Sequence, residues 1–306
     1  MPADIAILGV FVADLSFVAA RLPRMGETLM GESFALGPGG KGSNQAVAAS
    51  RAGAGVAMIA KLGDDAFGAM AKKAWSEAGV EDQSVTGEVP TGAAMIFVES
   101  ASRDNAIIVE PGAGASITAA EVDQRAEAIR AAKVFMTQLE QPEKIALHGL
   151  KIAKEAGAVT VFDPAPAAGP LDAAIYGFCD YVTPNETEAG NLTGVAVKTP
   201  DDARKAGDFF LEHGAGCALV TLGEQGALIH CKDFSEMVPA PKAGAVADTT
   251  GAGDAFNGAL ACALAEGRDI KDAARFACAG AGISVTRPGT APSMPERAAI
   301  DALLGS

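Results

Sequence analysis

Three histidines and five cysteines are all that this 306-residue chain offers to imidazole or thiol chemistry. The cysteines, Cys179, Cys217, Cys231, Cys262 and Cys278, are odd in number and include no CxxC pair. That argues against a disulfide framework or a zinc site and leaves them as small core or surface thiols. His148, His213 and His230 show no HExxH or related spacing, so no histidine-based chemistry is expected. Aromatic residues make up 5% of the chain, with one Trp and two Tyr, and no apolar platform for a nucleoside base is evident. Basic charge is also short. Lys and Arg number 24 against 38 Asp and Glu, a net charge of −14, which disfavours nucleic acid because that binding needs cations to neutralise phosphates. No apolar run reaches spanning length and no charged start leads into an apolar segment, so neither membrane nor secretion is indicated and a cytoplasmic enzyme is expected.

What is there is a core-forming pattern. At 49% hydrophobic and 20% charged, the chain can bury a large interior. Short apolar runs recur between amphipathic stretches: Ile5 to Gly9, Val56 to Ala60, Val134 to Gln138, Val159 to Phe162, Tyr181 to Thr183 and Cys217 to Thr221. This alternation predicts an α/β fold with a doubly wound, mostly parallel sheet flanked by helices. Gly53 and Gly79 close two helical stretches, Thr118 with Glu121 makes a capping box, and Thr199 with Pro200 opens another helix. Two segments break the rhythm, about residues 11–36 and 91–109. In the second, two strand-like runs flank a polar turn from Ala101 to Asn105, and both segments suit a small β-sheet cover over the strand ends.

The most informative motif is Asp248 to Leu260, DTTGAGDAFNGAL. Gly251, Ala252 and Gly253 have little or no side chain, so their backbone N–H groups can approach an anion at the positive end of the following helix. Asp254, in the first turn, is then an ionised acceptor for a hydroxyl proton beside bound phosphate, as phosphoryl transfer to an alcohol requires. An ordinary helix start is the plain alternative. A second glycine cluster, Gly37 to Asn44, departs from a P-loop because Gly42 follows Lys41; it reads as a flexible loop carrying Lys41 and Asn44 to a helix start. A dinucleotide fingerprint is missing after the first run, where Gly9 is followed by VFVAD. There Asp14, placed just beyond the strand end, suits a carboxylate that binds sugar hydroxyls. Asn185 and Glu188, in TPNETE, fall at another strand's carboxyl end, where they either organise Mg²⁺ through water or simply cap a helix. Glu140 is a further polar group at the same edge.

Together, GGKGSNQAVAA, NETE, TLGEQG and DTTGAGDAFNGA resemble, in order and spacing, the ribokinase-like carbohydrate kinases of the PfkB family, over nearly the whole chain. The resemblance implies one α/β kinase domain over residues 1–306 with a small β lid formed by about 11–36 and 91–109. It implies that Asp254 is the catalytic base and that Gly251, Ala252 and Gly253 form the anion hole. Asp14, Gly40, Lys41, Asn44 and Glu140, with Asp254, fall on sugar-contact positions. Asn185, Thr221, Gly223, Gly226, Gly253 and Cys278 fall on the nucleotide side. Glu188 matches the acidic residue tied to Mg²⁺, and Asp248, Thr250, Ser284, Arg287, Gly289 and Ser293 match a K⁺ site. The activity implied is ATP-dependent phosphorylation of the primary hydroxyl of a pentose, D-ribose to D-ribose 5-phosphate foremost. Other acceptors in view are 2-deoxyribose, fructose, a keto-deoxy sugar acid or a nucleoside, and a silent sugar-binding regulator is the reading from another class. One departure stands out: bacterial ribose-phosphorylating members commonly carry Asn two places before the sugar aspartate, and this chain has Val12. Exposed lid edges invite a homodimer.

Overall fold

The computed structural model describes residues 3–305. Its main sheet has nine strands in the order Ser235–Val238, Ala227–Cys231, Cys217–Thr221, Tyr181–Val182, Val159–Phe162, Val134–Thr137, Ile5–Leu8, Val56–Ile59 and Glu81–Asp82. All pairings are parallel except the two that involve Ala227–Cys231. The strands form where expected because both faces are covered. Ile5 and Ile7 join one core with Met58, Met136 and Leu219, while Ala6 and Leu8 join the other with Phe135, Phe162 and Val220. Helices Lys41–Arg51, Ala66–Ala78, Ala252–Ala265 and Ile270–Ser284 contribute to the first core. Glu143–Glu155, Glu186–Thr193 and Pro200–Glu212 contribute to the second.

Local signals end these helices as expected. The Thr118/Glu121 capping box forms, Thr199 accepts from Asp202 N with Pro200 in the first turn, and Gly79 closes its helix at φ 75°. The Ile5–Leu8 strand has one sequence-distant neighbour on each side, Val56–Ile59 and Val134–Thr137, so the connections part there. Ligands of open α/β sheets bind in the crevice at such a point.

A second, four-stranded sheet accounts for the two irregular segments: Ser33–Gly39, Val12–Ala19, Thr91–Glu99 and Asn105–Gly112, in that order. Two expectations need correction here. Asp14 does follow the carboxyl end of Ile5–Leu8, but it lies within the next strand, Val12–Ala19, opposite Gly37. Gly37 to Gly39 are likewise strand, not flexible loop; Pro38 is tolerated because this is an edge strand, where a missing N–H leaves no ladder bond unmade. A third correction concerns the cysteines. Cys217 and Cys231 face each other across the antiparallel pair Cys217–Thr221 and Ala227–Cys231, with Cα atoms 4.4 Å apart, and form a disulfide. Cys179, Cys262 and Cys278 are free and buried.

Candidate active site

The functional groups gather where the main sheet's carboxyl ends meet the base of the small sheet. Gly251 (φ 78°) caps helix Ala252–Ala265, and a Cβ built on Gly253 meets nothing within 4 Å, so the helix start opens onto free space. Asp254 follows in the first turn and is 6% exposed. Its two oxygens are held from helix Lys41–Arg51: Asn44 Nδ2 donates at 3.0 Å and Gln45 Nε2 at 3.1 Å. That helix begins where it does because Gly40, at φ 86°, turns the chain out of the small sheet. A Cβ there would stand 2.5 Å from the Val10 carbonyl oxygen, so only glycine fits.

The charges of four carboxylates bear on one ammonium. Burial by itself would lower Lys41, but the charges of Asp254, Asp163, Glu140 and Glu188 outweigh it and hold the ammonium firmly protonated. Burial raises Asp254, opposed by Lys41 and the two amide bonds. Burial also lifts Glu140 to about 7, while Lys41, whose backbone N–H donates to Glu140 Oε2 at 2.7 Å, pulls the other way. Asp14 is pushed up to about 6 by burial and then by the Asp254 charge. Its carboxylate lies over Gly39, where a Cβ would come within 2.3 Å of it. Val12, two residues earlier on the same strand face, is 3% exposed and clusters with Val10, Ala94 and Ile96.

Asn185 and Glu188 adopt the capping geometry. Asn185 Oδ1 accepts from Glu188 N at 2.8 Å, and Glu188 Oε2 accepts from Asn185 N at 2.9 Å. Glu188 is nonetheless raised, by burial first, and feels both Lys41 and Asp254, so it belongs electrostatically to the cluster. Thr221 bridges to Asn185 at the next strand end, and the turn from Gly223 to Gly226 needs positive φ at both glycines. Cys278 is deep in the core, 4% exposed, with its thiol 3.9 Å from the Val238 carbonyl oxygen and pushed up to about 12 by burial. It presents little to a ligand.

Asp248 organises the remaining loop. Its oxygens accept from Thr250 N at 2.9 Å and Gly289 N at 3.0 Å. Burial works to raise this carboxyl, but those bonds outweigh it and the charge of Arg103 adds to them, so it is held below its usual range. The Ser284 and Ser293 hydroxyls donate to the carbonyl oxygens of Ala281 and Thr290, while Arg287 is exposed and its N–H returns to Ser284 O. Among the described residues no group of three or more His, Cys, Asp or Glu is arranged as a metal-binding cluster.

Sequence reasoning missed Asp163, Gln45 and Gln138, all buried here. Asp163 sits at the carboxyl end of strand Val159–Phe162, a position equivalent to that of the residues singled out on neighbouring strands. That placement was the available signal.

A buried carboxylate beside an open, glycine-lined helix start, with a lone lysine among acids, suits phosphoryl transfer to an alcohol. The chain belongs to the pfkB family of carbohydrate kinases, whose family model matches residues 2–297. It is 37% identical over 296 residues to a deoxyribokinase of Salmonella typhi, covering 96% of each chain. It is 36% identical to a ribokinase of Haemophilus influenzae, covering 97% of each. The Arabidopsis thaliana ribokinase complexed with ribose and ATP superposes with a TM-score of 0.93 at 30% identity over 100% of both chains.

Proposed function

We propose that this carbohydrate kinase transfers the γ-phosphoryl group of ATP to the primary hydroxyl of a pentose, D-ribose foremost. The observation that carries the reading is the Asp254 carboxylate, held by Asn44 and Gln45 beside the open start of its own helix. Burial makes Asp254 a better proton acceptor than an exposed carboxylate, and Asp14 and Lys41 offer an acceptor and a donor to the sugar's other hydroxyls. As the sugar oxygen attacks in line, Asp254 takes its proton and the N–H groups of residues 251–253 face the charge on the transferring group. Asn185 and the Thr221 to Gly226 turn, which meet at adjoining strand ends, are assigned to the nucleotide. The small sheet acts as a lid that excludes competing water.

Four carboxylates around one lysine leave a surplus of negative charge on hard oxygen donors, which suits Mg²⁺ near Glu188. When bound with ATP, the metal supplies charge neutralisation at the phosphates. We assign K⁺ to the loop around Asp248, Thr250, Ser284, Arg287, Gly289 and Ser293, a reading supported by both serine oxygens keeping lone pairs after donating to backbone. The apolar residues on the lid face turned away from Asp14, including Phe34 and Ile108, support a homodimer. ATP dependence favours a cytoplasmic setting.

A second acceptor is favoured by one observation. The apolar cluster of Val10, Val12, Ala94 and Ile96 beside Asp14 offers no partner to a sugar hydroxyl, which suits 2-deoxyribose. The test is phosphoryl transfer from radiolabelled ATP to ribose, 2-deoxyribose, fructose, a keto-deoxy sugar acid and adenosine, each in K⁺ and Na⁺ at equal ionic strength. Labelled pentose, formed faster in K⁺, is expected; label only on a non-pentose overturns the pentose reading, and equal rates in both salts overturn the K⁺ site.

A further inference from the structure

Beneath the reacting edge, buried amides and carboxylates form a continuous chain. Gln138 Nε2 donates to Gln45 Oε1, and Gln45 Nε2 donates to Asp163 Oδ2 at 2.7 Å and to Asp254 Oδ1 at 3.1 Å. Gln45 and Gln138 are wholly buried and Asp163 is 4% exposed. A side-chain amide has one oxygen that accepts and one nitrogen with two hydrogens to donate. Turning the Gln45 amide over would set its oxygen against two carboxylates and its nitrogen against the Gln138 amide nitrogen, another donor. The bonding pattern therefore admits one orientation, in which each Gln45 hydrogen has its own carboxylate.

Asp163 itself is fixed by backbone. Its N–H donates to Thr137 O at 3.0 Å and its carbonyl accepts from Ala165 N at 2.8 Å, tying it to the neighbouring strand of the main sheet. Asn44 and Gln45 are consecutive residues of one helix, so together they define the plane of the Asp254 carboxylate from one rigid support. Loss of the Asp163 anchor would leave Gln45 free to rotate, and with it one oxygen of Asp254.

We infer that Asp163 and Gln45 are positioning residues of the transfer step: Asp163 anchors one hydrogen of Gln45 so that the other holds Asp254 toward the acceptor hydroxyl. This rests on Asp254 being the base. Burial, which raises both Asp163 and Asp254, agrees with two carboxylates that share a single donor group away from water. A network that served folding alone would lower stability without a selective effect on turnover.

The experiment compares kcat and the KM for each substrate in Asp163→Ala, Asp163→Asn, Gln45→Met and Asp254→Asn, with thermal unfolding of each. Asp163→Asn still offers an oxygen to Gln45, and its kcat is expected within about threefold of the parent protein. Asp163→Ala and Gln45→Met should lose about ten- to a hundredfold in kcat, the effect of a small misplacement of a reacting group, with both KM values nearly unchanged. Should Asp163→Ala not fold, Gln45→Met carries the same readout. Parent-like kcat in Gln45→Met and in folded Asp163→Ala, beside an inactive Asp254→Asn, overturns the positioning role and leaves the base standing. An Asp163→Asn as slow as Asp163→Ala overturns it too, because the charge and not the anchor would then be what is used. Normal turnover in Asp254→Asn overturns both readings.

Discussion

The two sheets of this protein are built to different rules. In the main sheet, the strands Ile5–Leu8, Val56–Ile59 and Val134–Thr137 are buried at every residue. In the small sheet, Ser33–Gly39 opens with four exposed residues and Asn105–Gly112 with six. A doubly covered sheet resists local opening, whereas a sheet whose edge strands are exposed at consecutive residues, and so on both faces, does so far less. The division of labour follows: Asp254, Asp163 and Glu188 stand on the covered body, while Asp14 and the apolar side chains Val12, Ala94 and Ile96 come from strands of the lid. The joint between them is glycine-tight, with Gly39 under the Asp14 carboxylate and Gly40 against Val10.

The sharpest way to break this comparison is to remove Asp254, the base proposed for the body. Asp254→Asn should leave the fold intact while kcat falls by about two to four orders of magnitude, the span of a lost general base. Steady-state kinetics on the purified variant check it, and near-normal turnover would place the chemistry elsewhere. Stability should divide along the same line. Phe135→Ala, which empties a fully buried site in the main sheet, is expected to cost about 3–5 kcal/mol. Ile108→Ser, on the lid's outer face at 67% exposure, should cost the isolated subunit no more than about 0.5 kcal/mol. Denaturant titration at low protein concentration measures both, and equal losses would erase the distinction.

The smallest main effect concerns substrate choice, which the lid should govern. Val12→Asn would place an amide beside Asp14 in the apolar cluster with Val10, Ala94 and Ile96. The kcat/KM preference for ribose over 2-deoxyribose should then rise by about one to two decades, the worth of one recovered hydrogen bond of ~1–3 kcal/mol. An unchanged ratio means that Val12 does not set the choice and that the lid contributes only cover.

Legibility followed locality. The six apolar runs became main-sheet strands because a strand covered on both faces is apolar at nearly every residue, a pattern visible along the chain, and the caps at Gly79, Thr118 and Thr199 formed because each rests on contacts within a few residues. The strands Ala227–Cys231 and Ser235–Val238 were not anticipated. They extend the sheet in antiparallel fashion, outside the strand–helix alternation that revealed the others. The Cys217–Cys231 disulfide went unseen for the same reason: cysteines 14 residues apart meet only if the intervening chain folds back in that register.

The sequence by itself determined the covered body, the helix starts and the glycine–aspartate turn at residues 251–254. Periodicity, capping and backbone freedom act over a few residues and can be read along the chain. Only the tertiary structure decided which of those groups share one site. Asn44 meets Asp254 across 210 residues of sequence and Gln45 meets Asp163 across 118. Asp14 and Glu140 gain their raised proton affinities from burial that follows once the lid strands stand over the switch point. Such meetings depend on which strands become neighbours, a choice made by burying both faces of the sheet at once, and no stretch of the chain encodes it alone.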